Sequence, residues 1–125
     1  MQAPGATDAE RSAAAKEIVA RTFGWQRIEA TGQREFYARD QQRRTLWLKA
    51  RSGRYKHTSW DWIKEQPQYD LLVGIIVEAD GEISTVIQAP RALVERLKRV
   101  TQDSYRLRWN DETKAAVEYL WQVNK

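Results

Sequence analysis

Ala15, Ile18, Val19, Thr22 and Phe23 recur at the three-and-four spacing of a single helical face. They follow Thr7-Asp8-Ala9-Glu10, in which the Thr7 hydroxyl can cap the Glu10 amide while the Glu10 carboxylate reaches back. The spacing predicts a helix from Asp8 to about Thr22, ended by Gly24 in a left-handed conformation. Two strands are expected next, Trp25 to Glu29 and Glu35 to Asp40, joined by a turn at Thr31-Gly32. After the polar Gln41 to Arg44, the stretch Thr45 to Arg51 alternates. Leu46, Leu48 and Ala50 fall on one face and Trp47, Lys49 and Arg51 on the other. Thr58 to Glu65 reads as a short helix stopped before Pro67. Leu71 to Val77 is a continuous apolar run, the pattern of a central strand buried on both faces. Asp80-Gly81 is a hairpin signal leading to a partner strand, Glu82 to Ala89. Pro90 then suits the first position of a helix with Leu93, Val94, Leu97 and Val100 as its stripe. A strand from Tyr105 to Trp109 and a helix from Asp111 to Gln122 follow.

The predicted fold is therefore α/β, a central mixed β-sheet flanked by helices in the order α-β-β-β-α-β-β-α-β-α. No repeat or linker composition interrupts it, so residues 1–7 are expected as a flexible leader and 8–125 as one globular domain. At 125 residues and 42% hydrophobic, the chain is long enough to bury a core.

Composition removes several chemistries. With no cysteine there is no disulfide, thiolate metal site or cysteine nucleophile. His57 is the sole histidine, so zinc sites of several imidazoles are out, and it reads as a loop residue. No signal-peptide core follows Met1, and the longest apolar run is too short to span a bilayer. A soluble, cytoplasmic protein is expected, with no membrane partner.

Charge then changes the picture. Between Arg43 and Lys64 seven lysines and arginines face one acid, Asp61, against a net charge of +4 for the whole chain. Trp47, Tyr55, Trp60 and Trp62 interleave with them. From Glu65 to Pro90, by contrast, there are five acids and no lysine or arginine. Cations pair with phosphates and aromatic faces stack on bases, so the segment points to DNA or RNA as partner. If the second and third strands align, Tyr37, Arg39, Trp47, Lys49 and Arg51 form one surface. Arg54, Tyr55 and Lys56 would extend it. Arg106 and Arg108, alternating with Tyr105, Leu107 and Trp109, make a candidate second basic stripe. The competing arrangement buries Tyr37 and Trp47 beneath a helix and leaves the cations at the rim.

The order helix, three-stranded meander, helix, buried strand over Asp8 to about Ala89 resembles the core of the PD-(D/E)XK restriction-endonuclease-like superfamily. The resemblance places Lys49, in Leu46-Trp47-Leu48-Lys49-Ala50, where the family's lysine stands, and Glu35 near the family's first acid. Glu10 and Glu17 lie on the helix that often adds a glutamate. It implies Glu35 and Lys49 as catalytic candidates, Glu35 and Glu17 as Mg²⁺ ligands, and metal-assisted phosphodiester hydrolysis. Trp47 departs from the pattern, since it occupies the place of the motif acid and an indole cannot ligate Mg²⁺. Three functions stand: a nucleic-acid-binding, catalytically degenerate nuclease-like domain; a Mg²⁺-dependent nuclease with a displaced acid; and a protein-interaction module anchored by tryptophan and arginine.

Overall fold

The structure, a computed structural model, describes residues 1–28, 35–53, 58–63 and 68–123. The opening helix α1 (Asp8–Thr22) carries the expected capping box: the Glu10 amide donates to Thr7 Oγ1 and the Thr7 amide to Glu10 Oε1, each at 3.1 Å. Gly24 leaves the helix at φ +72°, a conformation that favours glycine. Ala15, Val19 and Ala20 are the face that α1 buries.

Strands β1 (Gln26–Ile28), β2 (Phe36–Arg39) and β3 (Thr45–Ser52) form an antiparallel meander. β3 then pairs in parallel with β5 (Leu71–Val77), which pairs antiparallel with β6 (Ile83–Pro90). The result is a mixed six-stranded sheet in the order β1-β2-β3-β5-β6-β9, with β9 (Glu118–Gln122) last. All seven residues of β5 are buried, because its alternating side chains enter two separate cores. Leu71, Val73, Ile75 and Val77 meet α1, while Leu72 and Ile76 enter the opposite layer. The β5–β6 turn spans Glu78 to Glu82 with Gly81 at φ +85°.

Three expectations are corrected. The predicted helix at Thr58 to Glu65 is instead a strand, β4 (Ser59–Ile63), of a second sheet in the order β4-β8-β7. Its Trp60 and Trp62 alternate with Ser59 and Asp61, so a two-residue period sends both indoles into the core. The last predicted helix ends early: α3 (Asp111–Ala116), capped by Asn110, gives way at Val117 to β9. Val117, Tyr119 and Trp121 are β-branched or aromatic, types that favour strand pairing, and β9 pairs along the edge of β6 with a bulge between Val86 and Ile87. Helix α2 (Arg91–Leu97) starts after Pro90 as expected but stops before Val100. That residue is 58% exposed in β7 (Arg99–Val100), paired to β8 (Ser104–Arg108). The first residues of the chain pack beside the β5–β6 turn. The Ala3 amide donates to the Gly81 carbonyl at 2.7 Å, the Ile83 amide donates to Met1 O at 2.8 Å, and Ala3 is buried.

The large sheet thus lies between α1 on one face and the small sheet with α2 on the other. The Thr31-Gly32 turn, Arg54, Tyr55, Lys56 and His57 lie outside the described residues.

Candidate nucleic-acid interface

The site begins where β3 outruns β2. Their pairing ends at Phe36 opposite Leu48, yet β3 continues through Lys49, Ala50, Arg51 and Ser52, held on its other side by Gly74 to Val77 of β5. Among the described residues no strand flanks β3 there on the β2 side. Glu35, one residue before β2, sits at this fork. Its Oε2 accepts the Trp47 indole N–H at 3.1 Å and lies 3.6 Å from Lys49 Nζ. Lys49 Nζ is also 5.0 Å from the centre of the Trp47 ring.

Lys49 is mostly buried, with a side chain 15% exposed. Burial pushes its pKa below the ordinary lysine value. The neighbouring Glu35 and Asp61 charges oppose the shift, and Arg51 adds to it. Lys16 of α1 is shifted the same way, first by burial and then by the charge of Lys49, with Glu35 opposing. Two depressed lysines therefore share the field of one carboxylate at the fork. The sequence pattern singled out Lys49 but not Lys16, which merely flanks the buried Ala15 on its helix.

The aromatic half of the predicted surface is corrected. Trp47 is 1% exposed and Tyr37 is buried. Trp47 meets Trp62 edge-on at 5.4 Å and Tyr69 at 5.2 Å, so neither face of its ring is open to a base. The cover over Trp47 is Trp62 of the small sheet together with Tyr69, in a layer that α2 shares. Arg39 is exposed, but it pairs opposite Thr45, six residues from Arg51 along β3. At the rise of an extended strand that is about 20 Å. The predicted single patch of Tyr37, Arg39, Trp47, Lys49 and Arg51 is therefore divided. Lys49 and Arg51 remain together, with Arg51 lining a groove of about 310 Å³ beside Asp8, Ala9 and Ser12.

Asp61 extends the site onto the small sheet. It faces Lys49 electrostatically, accepts from Ser59 Oγ at 2.9 Å and binds Arg106 Nε at 3.1 Å. Arg106 lies opposite Arg99 on β7, and Arg108 follows it on the same outward face of β8. Arg51, Lys49, Asp61, Arg106, Arg99 and Arg108 thus run from the fork across the second sheet. The Arg106–Arg108 alternation was legible in the sequence; its link to Lys49 through Asp61 was not, because it depends on β4 being a strand.

The proposed metal ligands are not brought together into a cluster. Glu17 pairs with Arg27, whose guanidinium stacks 4.2 Å from the Phe36 ring centre. Glu35 is engaged by Trp47 and Lys49. Among the described residues no group of three or more His, Cys, Asp or Glu is arranged to hold a metal ion. The donor set does not fit Mg²⁺ as the resemblance implied. Glu10 is the helix cap. No described helix is long and apolar enough to cross a membrane.

Comparison with known proteins adds no relative: no protein-family model matches the chain, and no curated protein matches it.

Proposed function

We propose that this chain binds nucleic acid through the phosphate backbone, as a nuclease-like fold with a degenerate catalytic site. The observation that carries the reading is the strip of five cations, Arg51, Lys49, Arg106, Arg99 and Arg108, set against Glu35 and Asp61. Guanidinium groups suit phosphate because their planar fork of donors matches two oxygens at once. A buried Trp47 and Tyr37 remove base stacking by these two residues.

The nuclease-like part of the reading rests on topology. It is supported by the order of α1, the antiparallel β1–β3 meander and the buried β5, and by Lys49 standing on β3 within reach of Glu35. The crossover differs, being the strand β4 rather than a helix. Trp47 in the place of the motif acid, together with the dispersed carboxylates, favours binding over cleavage. The protein-interaction reading has less support. A bulge between Val86 and Ile87 sets Tyr119 opposite Ile87 in one core layer and Trp121 opposite Val86 in the other, which splits the exposed aromatic surface.

The test is fluorescence anisotropy with labelled DNA and RNA, beside a cleavage assay in Mg²⁺ and Mn²⁺. Expected are binding without cleavage and a uniform loss of affinity, across sequences, in Arg51→Ala. Cleavage abolished by Lys49→Ala would replace this reading with an enzymatic one.

A further inference from the structure

The outer face of the β4-β8-β7 sheet differs from its inner face in one respect that bears on strandedness. Inward lie Trp60, Trp62, Tyr105 and Leu107; Trp60 and Leu107 are sealed, and Tyr105 is covered by Lys98, whose Nζ is 3.8 Å from its ring centre. Outward, at the described positions, lie Ser59, Asp61, Ser104, Arg106, Arg108 and Arg99. No aromatic side chain is among these, and Arg99 and Arg108 have no ion pair among the described residues.

We infer that this face tracks the backbone of a nucleic-acid duplex. The inference rests on the phosphate-binding reading above and names its substrate class. Proteins that hold single strands without sequence preference stack bases on exposed aromatic rings, and this face has none at its described positions. What it offers is charge alone, and a duplex presents about one phosphate per 1.7 Å of axis, the denser target for charge. Alternation spaces Arg106 and Arg108 by about 7 Å along β8, and Arg99 sits about 5 Å across the sheet from Arg106. Like charges directly opposite one another destabilise a sheet. The Arg99–Arg106 pairing sets two like charges opposite one another, with Asp61 ion-paired to Arg106. A phosphate seated between the two arginines removes that repulsion.

The experiment compares a labelled duplex with one of its own strands, for wild type and for the double variant Arg99→Ala/Arg108→Ala, across a salt series. Both replaced side chains are exposed, and thermal unfolding checks that the variant keeps its fold, with a midpoint equal to or above wild type. Expected is a wild-type preference for the duplex of about tenfold or more, and a variant whose salt slope on the duplex is shallower by about 2. Equal affinity for strand and duplex, or an unchanged slope in the variant, overturns the inference while leaving phosphate binding in place. Wild type that binds neither oligonucleotide at low salt overturns the parent reading as well.

Discussion

The indole N–H of Trp47 donates to Glu35 Oε2 at 3.1 Å, and the same oxygen lies 3.6 Å from Lys49 Nζ. One carboxylate oxygen therefore satisfies a buried tryptophan and opposes the fall in pKa that burial imposes on Lys49. The ring fills the core against Trp62 and Tyr69, and its polar edge reaches the fork.

Removing that ring is expected to be costly. Trp47→Ala should lower unfolding stability by about 3–5 kcal/mol, the range for deleting a large aromatic from a core. Trp47→Phe should cost less, about 1–3 kcal/mol, through a lost bond to a charged group and a smaller ring. Urea unfolding monitored by circular dichroism gives both values. Equal losses would mean that the Glu35 bond matters more than the packing.

Lys49 should titrate below the ordinary lysine value, and Glu35→Gln should depress it further by removing the charge that opposes burial. As pH rises toward 10.5, folded Lys49 releases its proton before the unfolded chain does. The unfolded state then binds more protons, and this residue's contribution to stability rises with pH. Proton-detected titration of the lysine side chains reads the shift in both proteins. A Lys49 that titrates identically in wild type and Glu35→Gln would separate the two side chains.

Much of this was legible in the chain itself. The capping box at Thr7, the glycine stop at Gly24, the alternation of β3 and the doubly buried β5 are local patterns, and local patterns survive folding. The parallel pairing of β3 with β5 is not local. Neither is the fate of Ser59-Trp60-Asp61-Trp62, a four-residue stretch compatible with a helix or a strand until β8 supplies a partner. That one ambiguity hid the small sheet, and with it the cover over Trp47 and the Asp61–Arg106 pair whose carboxylate acts on Lys49 through its charge. The basic character of the site was visible; its loss of stacking aromatics was not, because Tyr37 and Trp47 look the same in sequence whether a sheet covers them or not.

Gly74 tests the packing between the two sheets. A Cβ at this position of β5 would lie 2.8 Å from Trp60 Cζ2 and 3.0 Å from Ile87 Cδ1. Trp60 is held by its indole N–H donating to the Ile75 carbonyl at 3.2 Å and cannot move freely. Gly74→Ala should therefore destabilise by about 1–3 kcal/mol through overpacking. A neutral or stabilising result in the same urea assay would contradict the close approach of β4 to the large sheet.

Tyr69 should ionise late. Burial, reinforced by the charge of Glu95 and opposed by Arg91, pushes its pKa up to about 12. Between the ordinary value of 10 and about 12 the unfolded chain has lost this proton while the folded protein keeps it. Stability contributed by Tyr69 is thus complete below pH 10 and is lost as pH rises through that window. Ultraviolet difference titration of wild type against Tyr69→Phe isolates the group. An ionisation near 10 would place its hydroxyl in water.

Phosphate binding is tested by the dependence of wild-type affinity on salt, read by anisotropy with a labelled duplex. Neutralising phosphates releases counterions, at about 0.9 units of slope in log K against log salt for each contact. With five cations along the strip, the slope should be steeper than about −3. No binding at low salt, or an affinity indifferent to salt, would contradict the account.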